Sequence, residues 1–497
     1  MDGTRTDGTV AEIEARALLG QLTALRAGLA ARSEARMARW APRVQRQAFL
    51  GSVCNMADWL ALREADLTPL QPGLARLGLS TLGRLDGHVR PSLDAVIAAL
   101  SAIAGEPAAF PGEEAFAQGL PCLAARRDAL FGARGEGPQT RIMVTLPTEA
   151  ATDPALVAAL IAEGADAFRI NCAHDDPEAW AAMIAHIRAA APERRIPVSM
   201  DLGGPKFRIV ELTDKPKHRF FPGDRFALVA RLEDAPKGLV GATLSHPALL
   251  AALQPGAEVS VDDGKIRAKV RVMGPDHAVL EVIHAPTKGA KLKPEKGVNL
   301  PGANLRVAAL TPADLEALDF VAPNADLVAF SFVQTPQDVR DLIAALQARA
   351  APGRELPAIL LKIETPLGLR NLPELIVEAG GVLPVAVMIA RGDLAVEIGF
   401  DRLSEIQEEI LWLCEAAQVP VVWATQVLEG MVKEGQASRA EVTDAAMSQR
   451  ADCVMLNKGP HVVAAVGFLR GILGRMDRHH AKKSDRLGPL RVWGEGA

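Results

Sequence analysis

The sequence has few cysteines and no tyrosine. Cys54, Cys122, Cys172, Cys414 and Cys453 are scattered without a C-x-x-C spacing, and an odd count argues against a disulfide framework. A reducing cytoplasm is therefore the expected compartment. The N-terminus, MDGTRTDGTVAEIEAR, lacks the basic-then-apolar pattern of a signal peptide. No uncharged apolar run approaches the ~18 residues a membrane helix needs. The net charge of -5 gives no general electrostatic footprint for nucleic acid or an acidic membrane, so neither is an expected partner. The G-x-x-x-x-G-K-[ST] phosphate loop is also missing, so any bound phosphate must be held by side chains, metal and loop amides. The absence of tyrosine has no physical account in the rest of the chain.

What is present is an ordinary globular composition of 497 residues, 49% apolar and 23% charged, enough for two or three domains. From Val10 to about Gly105 the chain is rich in Ala, Leu, Arg and Glu at helical spacing. Glu106 to Gln139 is dense in Pro and Gly and reads as a connector, with a domain boundary near Gly137. Beyond it, apolar runs alternate with helical patterns. RIMVTL, ADAFRIN, IPVSMDL, DLVAFSF, AILLKIE, VLPVAVMIA, VPVVWAT and DCVMLN are each followed by a helical pattern, the third after a long interruption.

Eight such units predict an α/β fold, a (β/α)8 TIM barrel with a parallel sheet buried on both faces. The interruption, Phe207 to about Pro301, carries short alternating strands such as AEVSVDDGKIRAKVRVMG and predicts a small β-barrel lid inserted after the third strand. The expected division is a helical N-terminal domain and connector at 1–136, the barrel at 137–206 and 302–480, the lid at 207–301 and a tail at 481–497.

Active sites of such barrels lie at the C-terminal strand ends. Here those ends carry Arg169 and Asn171 with His174 just beyond, then Asp201, Ser331, Lys362 and Glu364, Arg391 and Asp393, Thr425 and Gln426, and Asn457 and Lys458. Lys362 and Glu364 are two apart on a strand and leave its same face, so a structural ion pair is one reading. The neighbouring strand ends favour another. Glu364 and Asp393, at adjacent mouths, suit Mg²⁺ or Mn²⁺ with substrate and water completing the shell. Arg169, Lys362, Arg208 and Lys296 would surround an anionic, phosphorylated substrate, a sufficient kit for phosphoryl transfer.

From about Thr140 to about Leu473 the sequence resembles the pyruvate kinase family, through FRINCAH, VDDG, KGVNLPG, LLKIETPLGLRNL, MIARGDLAVEIG, ATQVLEGM and SRAEVTDAA followed by ADCVMLN. The resemblance implies transfer of phosphoryl between phosphoenolpyruvate and ADP, giving pyruvate and ATP. It implies that Lys362 stabilises the phosphoryl group in flight, that Glu364 and Asp393 hold the divalent metal, and that Arg169 contacts the phosphate. Thr425 would lie beside the carboxylate and methylene carbon, with Gly392 and Asp393 also at the substrate. Asn171, His174, Arg208 and Lys296 would face the nucleotide. The glycine of IARGDLAVEIG is expected to let the backbone turn close to the substrate, and Arg391 to brace the rim by an ion pair.

Departures from the family are also legible. Ala173 and Leu202 stand where the monovalent-cation site usually has serine and threonine, and Lys206 in GGPKFR replaces a glutamate, so the ammonium is expected to substitute for K⁺, which would not be required. The strand-8 loop is Asn457, Lys458, Gly459, Pro460 in place of Ser-Gly-Glu-Thr, and LPTEA follows the first strand in place of Gly-Pro-Ala-Ser. The family's C-terminal regulatory domain has no counterpart, so sugar-phosphate activation through it is not expected. A homo-oligomer is compatible with the family, its interface unread. Two rival classes are a metal-dependent lyase or aldolase of the phosphoenolpyruvate/pyruvate barrels and a catalytically silent regulatory homologue. LARLGLSTLGRLDGHVRPSLDAVIAAL reads as a packed helical hairpin before a DNA-binding one. RHHAKK reads as a solvated basic tail, and His461 as structural.

Overall fold

The computed structural model describes residues 9–213, 218–246, 248–301, 307–350 and 352–486. Eight parallel strands close a barrel: Arg141–Thr145, Ala167–Asn171, Val198–Asp201, Leu327–Phe330, Ala358–Ile363, Val385–Ala390, Val421–Ala424 and Cys453–Leu456. Each pairs with its neighbours in chain order, and the eighth returns to the first through Arg141 opposite Cys453. These strands lack hydrophilic alternation because both faces are covered. Ala, Leu, Met and Val from alternate positions fill the interior, among them Ala329, Leu360, Met388 and Val422. Ile142, Phe168, Val328 and Leu361 point out against the helices.

The insertion forms a seven-stranded sheet: Ile209–Leu212, Arg225–Val229, Val240–Leu244, Glu258–Val261, Ile266–Met273, His277–His284 and Val298–Asn299. Its two edge strands approach each other. The Ile209 amide donates to the Lys296 carbonyl (3.0 Å) and the Val298 amide to the Phe207 carbonyl (2.8 Å), so the sheet nearly closes around its own apolar cluster. Within VDDG, Asp262 and Asp263 take φ of 57° and 54°, the left-handed turn of a hairpin that Asp tolerates better than most residues.

The N-terminal region contains the helices Val10–Trp40, Gln47–Arg63, Gln71–Arg76 and Val89–Ile103. Their buried side chains and the barrel's outer layer form one continuous apolar cluster. Polar ties reinforce it: Trp40 Nε1 donates to Glu374 (2.8 Å), and the Asn55 amide donates to the carbonyls of Asp86 (2.8 Å) and Ala416 (2.7 Å). In the segment read as a hairpin, Gln71–Arg76 and Val89–Ile103 pack on Val10–Trp40, and Gln47–Arg63 carries the region onto the barrel's outer helices.

Two expectations need correction. The Pro- and Gly-rich stretch read as connector holds the helix Leu120–Phe131. Pro121 lies in its first turn, where no intrahelical amide partner is lost, and Gly119 and Gly132 flank it at φ of 94° and 95°. Phe131 and Leu130 at its end join the barrel-interior cluster and plug the bottom. RHHAKK is not freely solvated. Lys482 pairs with the buried Asp452 (2.7 Å) and Lys483 with the buried Asp86, because those carboxylates need counter-charges. Residues 487–497 of the expected tail lie outside the described residues.

Candidate active site

Strand alternation decides which side chains enter the barrel. On the fifth strand Ala358 and Leu360 belong to the interior, so Lys362 and then Glu364 continue the inward face at the mouth. The same phase leads from Ala167 to Arg169 on the second strand and from Ala329 to Ser331 after the fourth. On the third strand Ser199 and Asp201 share a face by the same rule.

Asp201, 1% exposed, is the hub of these groups. It accepts from Arg169 Nε (2.6 Å), Lys362 Nζ (3.1 Å) and the Ser331 hydroxyl (3.1 Å). Lys362 also donates to Ser331 Oγ (2.6 Å) and lies 3.2 Å from Glu364 Oε1. Burial would push the Asp201 carboxyl up, but Arg169 and Lys362 outweigh it and hold it below the usual carboxylate range. Burial would likewise lower the Lys362 ammonium, but Asp201 and Glu364 outweigh it and raise it. The lysine is therefore a fixed cation at the mouth. Asp201 and Ser331 were visible at strand ends without an assigned role; their inward phase was the signal.

Glu364, 3% exposed, accepts the Phe332 amide (2.6 Å). Burial chiefly pushes its carboxyl up; Lys362 opposes this and the Asp393 charge adds to it. A buried carboxyl raised in part by a neighbouring carboxylate fits a divalent cation, which would relieve the repulsion. Among the described residues no cluster of three or more His, Cys, Asp or Glu side chains forms a cation cage, so the pair would share its ion with substrate or water oxygens. Asp393 also receives the Lys206 ammonium on both oxygens, at 2.8 and 3.0 Å. A carboxylate has about four lone-pair sites, so this leaves acceptor capacity on each oxygen.

A cleft of about 170 Å³ at the mouth brings together Arg169, Asn171, Asp201, Lys206, Arg208, Lys362, Glu364, Asp393 and Thr425. Ala173 and Leu202 line it beside Lys206. Lys206 reaches in past Gly297 of KGVNLPG, where a Cβ would lie 3.0 Å from Lys206 Cε, so the lid backbone passes close to the lysine stem. Lys296 is not among the lining residues; its ammonium is held by Asp262 (2.8 Å) on the lid. The Arg208 guanidinium donates to the Glu295 carbonyl (2.9 Å), and Asn171 Oδ1 accepts the Ala173 amide (3.1 Å). His174 is exposed just outside, where partial burial and then the charge of Lys458 depress its imidazolium.

These elements, an eight-stranded barrel with cations and two carboxylates at its mouth under an inserted β sheet, can be set beside known proteins. The family description "Pyruvate kinase, barrel domain" matches residues 137–461. The chain belongs to the pyruvate kinase family. It is 32% identical over 346 residues to a pyruvate kinase of Agrobacterium vitis, covering 66% of this chain and 68% of that one. A pyruvate kinase of Methylorubrum extorquens is 34% identical over 355 residues, 68% and 69% of the two chains. One of Mycobacterium tuberculosis is 31% identical over 327 residues, 64% and 66%.

The rim around IARGDLAVEIG is held by contacts across neighbouring strand ends. Arg391 opens the helix Arg391–Ile398 directly after the sixth strand. Its guanidinium pairs with Asp444, donates to the Ala424 carbonyl (3.1 Å) and lies over the Trp423 ring. Gly392 is helical with ordinary φ, and a Cβ there would make only van der Waals contact with Thr425 at 3.6 to 3.9 Å. The glycine is therefore not needed for a turn, contrary to expectation. Its amide donates to Thr425 Oγ1 (2.8 Å). Thr425, Gln426 and Leu428 all have positive φ, a rare state for the β-branched Thr425, whose hydroxyl accepts that Gly392 amide.

Proposed function

We propose that the protein transfers the phosphoryl group of phosphoenolpyruvate to ADP, giving pyruvate and ATP. The observation that carries the reading is the Asp201 hub, which fixes Arg169 and Lys362 as charged cations beside Glu364 at the mouth of the barrel. Phosphoryl transfer is chiefly positioning and neutralisation of the charge on the moving group, which such fixed cations supply without reorganising. Lys362 would take the phosphoryl oxygens, giving up part of its hold on Asp201 and Ser331, while Arg169, braced by Asp201, orients the phosphate. Thr425 would position the enolate beside Gly392 and Asp393.

Glu364 and Asp393 would hold Mg²⁺ or Mn²⁺, which when bound would supply positive charge against the substrate's phosphoryl and carboxylate oxygens. Lys206, on Asp393, supplies fixed positive charge where Ala173 and Leu202 offer no side-chain oxygen, and the enzyme is expected to work without K⁺. Asn171, His174, Arg208 and Lys296 would form the nucleotide side. Lys296 would have to exchange Asp262 for the nucleotide as the lid closes, a movement suited to excluding water. The helical 1–136, barrel and lid divisions, self-association and a cytoplasmic location are parts of the same proposal. Among the described residues no helix is long and apolar enough to cross a membrane.

The test is ATP formation from phosphoenolpyruvate and ADP with Mg²⁺ in a coupled assay, beside Lys362→Ala. Activity in the parent and its loss in the variant are expected. No activity in the parent, with ligand binding retained, would favour the silent homologue. No ATP from phosphoenolpyruvate and ADP, with pyruvate released instead by C–C cleavage of a 4-hydroxy-2-oxo acid, would favour the lyase or aldolase.

A further inference from the structure

At the opposite end of the barrel from the mouth, a cleft of about 660 Å³ lies between the N-terminal helices and the starts of the fourth, fifth and sixth strands. Its volume is in the range of small-molecule sites and well above the ~170 Å³ of the mouth. Four guanidiniums line it, Arg46, Arg126, Arg195 and Arg354, against two carboxylates, Asp326 and Glu355. Arg46 directs Nη1 to the carbonyls of Gly380 (2.9 Å) and Leu383 (2.8 Å). Arg126 directs Nη1 to those of Ala417 and Gln418 and Nη2 to that of Ala48 (3.1 Å), and lies over the Phe49 ring. Capping of the helix ends at Gly380 and Ala417 explains some of these bonds but not the charge.

Among the described residues neither Arg46 nor Arg126 has a carboxylate partner, whereas the nearby Asp326 is taken by Arg188, Arg195 and the Val198 amide. Burial depresses both guanidiniums, and for Arg126 the charge of Arg46 depresses it further. Two half-buried cations that repel each other, in a lining of four guanidiniums and two carboxylates, leave the cleft with an excess of positive charge. The wall beside them is apolar, from Phe49, Leu130 and Leu356.

We propose that this cleft binds a small organic anion, a carboxylate or phosphate on an apolar body, with Arg46 and Arg126 on the anion and Phe49, Leu130 and Leu356 on the body. The site joins the N-terminal helices to the barrel and is independent of the catalytic reading.

Calorimetric titration of the full chain tests it, with benzoate and phenyl phosphate as probes for the two anion classes. Benzyl alcohol and inorganic phosphate serve as the neutral and the non-apolar controls. At least one probe should saturate about tenfold more tightly than either control. Ala129→Glu, on the exposed wall, places a counter-charge in the cleft without removing any guanidinium-carbonyl bond, and should weaken that probe about tenfold. Arg46→Gln should do the same, and if that variant does not fold, Ala129→Glu decides. Absence of saturable binding, equal binding of a control, or unchanged affinity in Ala129→Glu overturns the proposal.

Discussion

Replacing Lys206 with methionine removes the ammonium that faces Asp393 while keeping the length of the side chain. The pair is 2.8 Å apart with side chains 24% and 16% exposed. At an effective dielectric of about 20 its gross Coulomb energy is about 6 kcal/mol. Desolvating the two ions takes back much of that, leaving a net effect of about 1.5 to 3 kcal/mol. If the same charge is needed in the transition state, turnover should fall roughly tenfold to a hundredfold. The assay is steady-state ATP formation in tetramethylammonium buffer, with and without added K⁺. The parent should turn over equally in both. Lys206→Met should be slow in both, since Ala173 and Leu202 offer K⁺ no side-chain oxygen. A parent that falls to background without K⁺ and recovers with it would refute the reasoning, as would a Lys206→Met enzyme rescued by K⁺.

Asp201→Asn should destabilise the protein by about 3 to 5 kcal/mol in denaturant titrations, because Arg169 and Lys362 stay buried without their shared carboxylate. The folded-state carboxyl of Asp201 is depressed, so its contribution is fully present above the unfolded pKa and is lost as pH falls through the folded one; the variant should lack that acid loss. Glu415 behaves oppositely. Burial, then Asp86, pushes its carboxyl up to about 7, so stability should decline as pH rises from the ordinary carboxylate range through about 7. Glu415→Gln should flatten that slope in thermal melts recorded across the window, and an unchanged slope would count against it. Phe49→Ala should cost about 3 to 5 kcal/mol, as Phe49 is 1% exposed and its ring packs where a Cβ on Gly380 would lie; a denaturant midpoint close to the parent's would show that this contact carries little.

Much of the site was legible because strand periodicity is a local property. Once AILLKIE is a strand, Lys362 and Glu364 must share a face, and once eight strands alternate with helices, their C-terminal ends must meet. What periodicity does not carry is the partner. Asp201 was readable as a strand end, yet its role depends on Arg169 and Lys362, 32 and 161 residues away. Lys206 was read as a fixed cation, but its pairing with Asp393, 187 residues away, belongs to the fold. Gly392 was misread because a glycine after a strand suggests a turn, whereas the chain there continues directly into a helix.

The N-terminal region shows the same division. Its helices were evident from apolar spacing, while the helix Leu120–Phe131 was hidden by proline and glycine that in fact mark its start and ends. The sequence by itself determined the repeating strand-helix order, the inward residues of each strand and the family. Only the tertiary structure decided which charges neutralise one another and which are left without a counter-ion. Burial and ion pairing are set by residues far apart in the chain, and each charge's cost depends on the neighbours that folding supplies.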